Sequence, residues 1–314
     1  MRNLFLSLGF VALLFCLLTP GTSYADPVGH TYIAQTGTDG NSPCYNPKLP
    51  CANLVFTMSN TLPGGTLTCV GPSGLWTPSI TKSIMIDCEG TNSTTNSFSV
   101  AIGATDTVTV RGLMIETAQG AAGGTRISFT GSVTLILEKL HLRNGPVGIS
   151  FTPNGAGKLI VRDSIISSTG NGAQGGGIVV APQPGGSAQV TLERVTVASN
   201  AFGIAFDGSN STGGINATIT DSVFASNTQD GIVATTTPGR APIGVLVTNT
   251  KAVNNTRGVR AIGPNVTVRL DNSRVAGNGI GIGTLSGGHV LTLGNNVVRA
   301  NGSDGAFSGA LALQ

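Results

Sequence analysis

The chain has 314 residues, of which 46 are glycine, 10% are charged and 5% are aromatic, and its formal net charge is +3 at pH 7. So weak a net charge says little about partners, and so few aromatic side chains argue against stacking on nucleic-acid bases. β-Branched apolar residues recur throughout, which excludes disorder; with abundant Gly, Asn, Ser and Thr they favour short strands and tight turns over long helices.

In chain order, Arg2, the apolar run Leu4 to Leu18 and the sequence Ser23-Tyr24-Ala25 predict a secretory signal over residues 1–25. The run is too short to span a bilayer, and Phe15 stands before Cys16 where a lipid-anchored protein would carry a small residue. The mature chain is expected to begin near Asp26, to be secreted or periplasmic, and to contain no transmembrane segment. Residues 26–62 are expected to cap a single domain, residues 63–305 to form its body and residues 306–314 its tail.

Four cysteines follow the signal: Cys44, Cys51, Cys69 and Cys88. An even number in an exported chain predicts disulfides, with three pairings open. Cys44 with Cys51, inside a proline-rich loop, and Cys69 with Cys88, between neighbouring repeats, is the favoured set. Their spacing fits no zinc finger or ribbon and no histidine lies nearby, so no metal and no cofactor is expected.

A repeat dominates the rest. Gly-Ile, or Gly-Val or Gly-Ala, recurs at Gly148, Gly177, Gly203, Gly231, Gly258, Gly281 and Gly305, at spacings of 29, 26, 28, 27, 23 and 24 residues. A unit of that length holds three short strands and three turns, one coil of a parallel β-helix. Stacking the units predicts three inward columns. One runs Ile115, Leu142, Ile166, Val197, Phe224, Ala252, Val275, Val298. Another runs Val110, Leu137, Val161, Leu192, Ile219, Val247, Leu270, Leu293, and the third Val108, Leu135, Leu159, Val190, Ala217, Val245, Val268, Leu291. The alternation between columns follows the period-two pleat.

Asparagine fills two turn columns, Asn249, Asn272, Asn295 and Asn200, Asn227, Asn255, Asn278, Asn301, as suits a residue that tolerates left-handed geometry and bonds to nearby main chain. Charges stack with alternating sign along Asp87, Arg111, Glu138, Arg162, Glu193 and along Lys139, Asp163, Arg194, Asp221, a structural use of those acids. An outward column, Ile136, Ile160, Thr191, Thr218, Leu246, Arg269, Thr292, is partly apolar and fits packing on a loop or a partner.

Tyr32-Ile33-Ala34 followed by Gly37-Thr38-Asp39-Gly40, the segment Pro50 to Met58, and Leu62-Pro63-Gly64-Gly65-Thr66-Leu67 resemble the first strand and turn, the short capping helix and the opening of the first coil of the pectate-lyase-like, right-handed parallel β-helix superfamily. The likeness is strongest to secreted bacterial β-helix repeat proteins without assigned activity. It implies an all-β, single-stranded, right-handed solenoid of about nine coils with an N-terminal capping strand and helix. It specifies no activity, because one fold hosts many functions. Solenoid ends need covers, so either the segment after Gly305 folds across the last coil or a partner does.

Members of that superfamily often cleave acidic polysaccharides. A glycosidase needs two carboxylates flanking the scissile bond, and the Asn-x-Asp, Asp-Asp, His-Gly and Arg-x-Lys motifs of polygalacturonase-type enzymes are absent. Asp87 and Glu89 are the only acids within two positions of each other; Asp87 belongs to the charge column and Glu89 precedes a turn glycine. Calcium would need clustered carboxylates, whereas Asp39, Asp106, Asp207, Asp230 and Asp304 are scattered singly at turns. His30, His141 and His289 lie in separate regions; His141 is expected outward in a column with Thr196, Lys251 and Arg274 and no carboxylate. No Gly-x-Ser-x-Gly turn supports a serine nucleophile.

Charge is uneven along the chain. Residues 235–303 carry seven cations against Asp271 alone, whereas residues 26–234 carry nine against twelve acids. Lys251 and Arg274 should stack outward on adjacent coils with Arg257 and Arg260 nearby, a patch that a bound anion would relieve. The sequence therefore points to a non-catalytic scaffold binding an acidic extracellular or cell-surface glycan through Lys251, Arg257, Arg260 and Arg274, with no nucleic-acid partner. A polysaccharide lyase or hydrolase with a non-standard site and a purely structural surface protein are the alternatives. A cleft lined by convergent acids would favour enzyme, and a flat basic strand face would favour binding.

Overall fold

Residues 28–40, 44–75, 77–103, 106–116, 124–170 and 175–312 are described by a computed structural model; the expected signal segment 1–25 lies outside them. A typical strand, Ser187–Glu193, buries Ala188, Val190 and Leu192 and turns Gln189 to solvent. Such a strand has one apolar face and hides it only when neighbours stack on it, so the coils pack in series around a shared core. The result is a right-handed parallel β-helix of three sheets. The first has twelve strands, from Val28–Ile33 to Gly309–Ala310, the second ten, from Gly74–Leu75 to Val297–Arg299, and the third nine, from Ser79–Ile80 to Ile280–Leu285. Each of the nine third-sheet strands closes one coil among the described residues.

The column Ile115 to Val298 is present member for member. The other two hold as far as Leu270 and Val268, and then the register departs from expectation by one residue. Leu270 pairs with Thr292 and Val268 with Val290, so Val290 is the buried residue and Leu291 faces outward beside Arg269. Val290 and Leu291 are both apolar, so the pattern could not choose between them; the turn through Gly287 at φ 82° sets the register.

The recurring glycine is forced by its surroundings. A Cβ on Gly203 would stand 2.3 Å from the carbonyl oxygen of Gly231, and one on Gly258 2.7 Å from that of Gly281 and 2.9 Å from the Asn278 amide nitrogen. The following Ile or Val points inward in register with its counterparts. The expected last pair, Gly305-Ala306, is one place late, because Ile280 meets Ser303 and Asp304 therefore lies opposite Gly281.

The amide next to each glycine belongs to a buried asparagine ladder. The Oδ1 atoms of Asn227, Asn255, Asn278 and Asn301 accept from the backbone N–H of the preceding rung at 3.1, 3.0, 2.8 and 2.9 Å. Each Nδ2 donates to an interior carbonyl, that of Asn255 to Phe224 at 3.0 Å. The ladder ends on Asp304 Oδ1 at one side and on Thr169 at the other. These asparagines are not themselves left-handed, contrary to the expectation; the residue before each one is, namely Ser199, Ser226, Asn254, Gly277 and Ala300. In the other asparagine column, Asn249 and Asn272 do take φ 48° and 42°. Nearer the N-terminus, Arg126 is wholly buried and donates to the carbonyls of Asn96 and Gly124. A second ladder, unread in the sequence, runs at the turn between first and second sheets, where Ser222, Thr250 and Ser273 hydroxyls accept from the preceding coil's backbone.

The charge columns are as expected, with Arg111, Glu138, Arg162 and Glu193 in register and ion pairs from Arg162 to Glu138 at 3.1 Å and to Glu193 at 3.3 Å. Glu89 joins them by pairing with both Arg111 and Lys139. The favoured disulfides are the ones formed, Cys44–Cys51 and Cys69–Cys88. The capping helix spans Leu54–Asn60, starting later than Pro50 because Cys51 is still extended against Ile33 and Asn53 supplies the cap, accepting from Val55 and Phe56. Lys82 closes its other end by donating to the carbonyls of Met58 and Thr61. At the far end, Gly309–Ala310 adds to the first sheet beside Leu291 and Thr292 and Phe307 packs on the core, while Ile280 and Leu285 of the last third-sheet strand stay exposed.

Asn255→Ala would strand the Asn227 backbone N–H in the interior and remove the donor to the Phe224 carbonyl. At about 1–3 kcal/mol for a buried group left unpaired, the expected loss is about 3 kcal/mol. Urea unfolding followed by circular dichroism measures it, with the exposed Asn210→Ala expected near zero.

Candidate functional site

The strands Ala156–Arg162, Ser187–Glu193, Ile215–Thr220, Ile243–Thr248 and Val266–Asp271 lie side by side in the first sheet. Their outward positions form two adjacent columns: Lys158, Gln189, Asn216, Gly244 and Ile160, Thr191, Thr218, Leu246, Arg269. All of these but Ile160 line an open trough of about 550 Å³ with Lys158 and Arg269 among its walls. Gly244 leaves space beside the Asn216 amide that a side chain would fill, since a Cβ there would already be 3.4 Å from Oδ1. The lining consists of amides, hydroxyls, short apolar groups and the two cations, without a carboxylate. Lys158, Gln189 and Asn216 were missed in the sequence, although their column is one pleat away from the Ile136 column that was read there.

Lys251 and Arg274 stack outward on adjacent coils of the second sheet, both exposed, with Val297 next in line. Arg257 and Arg260 sit around the turn on the third-sheet strand Arg257–Ile262. The four predicted residues therefore occupy two faces rather than one. The second pair also has a partner that the charge count left out. Asp230, one coil earlier and in register with Arg257, is wholly buried. It accepts from Arg257 Nε at 2.8 Å and Nη2 at 3.1 Å, and from Arg260 Nη2 at 2.8 Å. Asp230 was expected to serve turn chemistry; instead it is the counter-ion of two arginines and holds Arg257 above its ordinary pKa through their hydrogen bonds.

Several other acids are committed elsewhere. Asp39 accepts from Ala52 and Asn53 N–H, Asp106 from the Ser83 hydroxyl, Asp207 from Ser209 N–H and Glu116 from Arg143. Among the described residues, no group of three or more His, Cys, Asp or Glu side chains could hold a metal ion. His141 stands outward in the expected column, between Met114 and Ile165. Burial pushes its pKa below the usual histidine value and Arg143 adds to that, while Glu116 opposes both.

The class is thus a right-handed parallel β-helix with a carboxylate-free trough on its first sheet. No family model and no curated protein matches the chain. Among solved structures it is similar to one described as a rhamnogalacturonan lyase, at 12% identity over 88% of each chain, with a TM-score of 0.45.

Breaking a buried ion pair costs about 3–5 kcal/mol, and because both arginines are partly exposed Asp230→Ala is expected to lose about 2 kcal/mol in urea unfolding. His141 gives a pH signature. Its folded pKa lies below the unfolded value of about 6.5, so the unfolded chain takes the proton first as pH falls. Stability contributed by the neutral imidazole is full above about pH 6.5 and is lost as pH falls through the folded value. His141→Gln should flatten the fall in melting temperature between neutral and mildly acidic pH.

Proposed function

We propose that the protein is an exported, non-catalytic β-helix that binds an acidic extracellular polysaccharide along its strands. The observation that carries this reading is the trough on the first sheet, where polar rungs about 4.8 Å apart lie between Lys158 and Arg269 and no carboxylate lines the walls. Amides and hydroxyls on a regular spacing can exchange hydrogen bonds with sugar hydroxyls, and the cations supply attraction for a polyanion. Lys251 and Arg274, stacked with like charge on the second sheet, add a further cationic strip. Acid–base cleavage would need a pair of carboxylates facing a bound chain; in the next outward column Glu138 and Glu193 are paired with Arg162, which leaves Asp271 beside Arg269 as a single acid. The two disulfides suit an oxidising compartment. No helix among the described residues is long and apolar enough to cross a membrane.

The test is incubation of the protein with polygalacturonate and with a neutral polysaccharide, with and without calcium, assayed for retention and for products. The expected result is retention on the acidic polymer that weakens with salt, no new unsaturated or reducing ends, and about tenfold weaker binding when Lys158 and Arg269 are both alanine, a loss of about 1.4 kcal/mol. Release of products, or equal retention on the neutral polymer, would overturn the proposal.

A further inference from the structure

The cluster of Asp230, Arg257 and Arg260 has more hydrogen-bonding capacity than it uses. A guanidinium has five N–H donors. Arg257 spends its Nε and one Nη2 donor on Asp230, and Arg260 spends one Nη2 donor. Arg260 Nε is buried and has no acceptor among the described residues. The two guanidiniums are still reachable, with side chains 27% and 25% exposed, whereas the carboxylate between them is at 0%. Asp230 thus works from below, fixing both arginines while covering only part of their donors. The next coil keeps the approach open. Arg260 lies opposite Gly283, which has no side chain, and a Cβ there would be 3.5 Å from the Arg260 stem. Two cations and one buried anion leave a single positive charge unbalanced.

From this we infer that Arg257 and Arg260, held by Asp230, form a clamp for one singly charged oxyanion carried on a sugar, either a uronic-acid carboxylate or a sulfate ester. The inference rests on the acidic-glycan reading and gives it a specific contact on the third sheet, away from the trough. Two oxygens of one carboxylate or one sulfate ester can each accept from a guanidinium N–H, and charge-assisted hydrogen bonds of this kind are the stronger class. Because Asp230 holds the arginines in place before the ligand arrives, little side-chain entropy remains to be lost on binding.

The experiment is an NMR titration of protein labelled with ¹⁵N-arginine, which reads the Nε–H signals directly. Sodium galacturonate and glucose 6-sulfate are the two anionic probes, and the neutral methyl ester of galacturonic acid is the control. The expected result is a saturable shift of the Arg260 and Arg257 signals with at least one anionic probe and none with the ester; which probe acts identifies the group. In parallel, Arg260→Gln should weaken binding of the active probe at least tenfold, whereas Arg240→Ala, in an exposed loop, should change it less than twofold. Signals unmoved by both anions, or an Arg260→Gln variant that binds like wild type, overturn the clamp. Because the polygalacturonate test relies on Lys158 and Arg269, retention there with silent Arg257 and Arg260 signals would reject the clamp and leave the broader proposal standing.

Discussion

The structure depends on one constraint: each buried turn must have its backbone polar groups satisfied by the coil above and the coil below. An unpaired amide in the interior is costly, and a coil about 4.8 Å thick leaves room only for a short side chain lying along the axis. Asparagine meets both demands, because its carbonyl oxygen accepts from one neighbour while its nitrogen donates to an interior carbonyl. The glycine column follows from the same fit, since the space that a Cβ would need is occupied by those amides and by the next glycine carbonyl. The pairing of a glycine with an asparagine at this turn thus follows from how the turn's backbone is satisfied from within.

Charge obeys the same geometry on the outside. Side chains one coil apart are forced close together, so their signs must alternate or be separated by neutral residues. Arg111, Glu138, Arg162 and Glu193 alternate, and Asp221 hands over to Asn249, whose amide bonds back to it. Lys251 above Arg274 departs from that rule. Asp230 beneath Arg257 obeys it in a buried setting and binds a second arginine besides.

Much of this was legible in the sequence because a solenoid writes its neighbours at nearly constant offsets. The three apolar columns, the alternating charges and the asparagine ladder all came from aligning residues one coil apart. What was missed follows from where that alignment is ambiguous. At Val290-Leu291 two apolar residues in a row fit either register, and only the preceding turn decides. The Ser222, Thr250, Ser273 ladder was hidden because hydroxyl residues are common throughout the chain. Asp230 escaped because charge was summed over a stretch beginning at residue 235, while its partner Arg257 is 27 residues away in sequence and adjacent in space. The trough was legible only as separate polar positions, which come together because strands far apart in sequence lie side by side in the first sheet.

The two kinds of cross-coil tie are not spread evenly. Cys69–Cys88 joins neighbouring coils near the N-terminal end and Cys44–Cys51 closes a loop of the cap, whereas among the described residues the asparagine ladder runs from Asn200 onward. One end carries a covalent tie between two coils and the other a series of hydrogen-bonded rungs. Rungs made of hydrogen bonds can part and re-form coil by coil, whereas the two coils joined by Cys69–Cys88 stay tethered to each other for as long as that bond is oxidised.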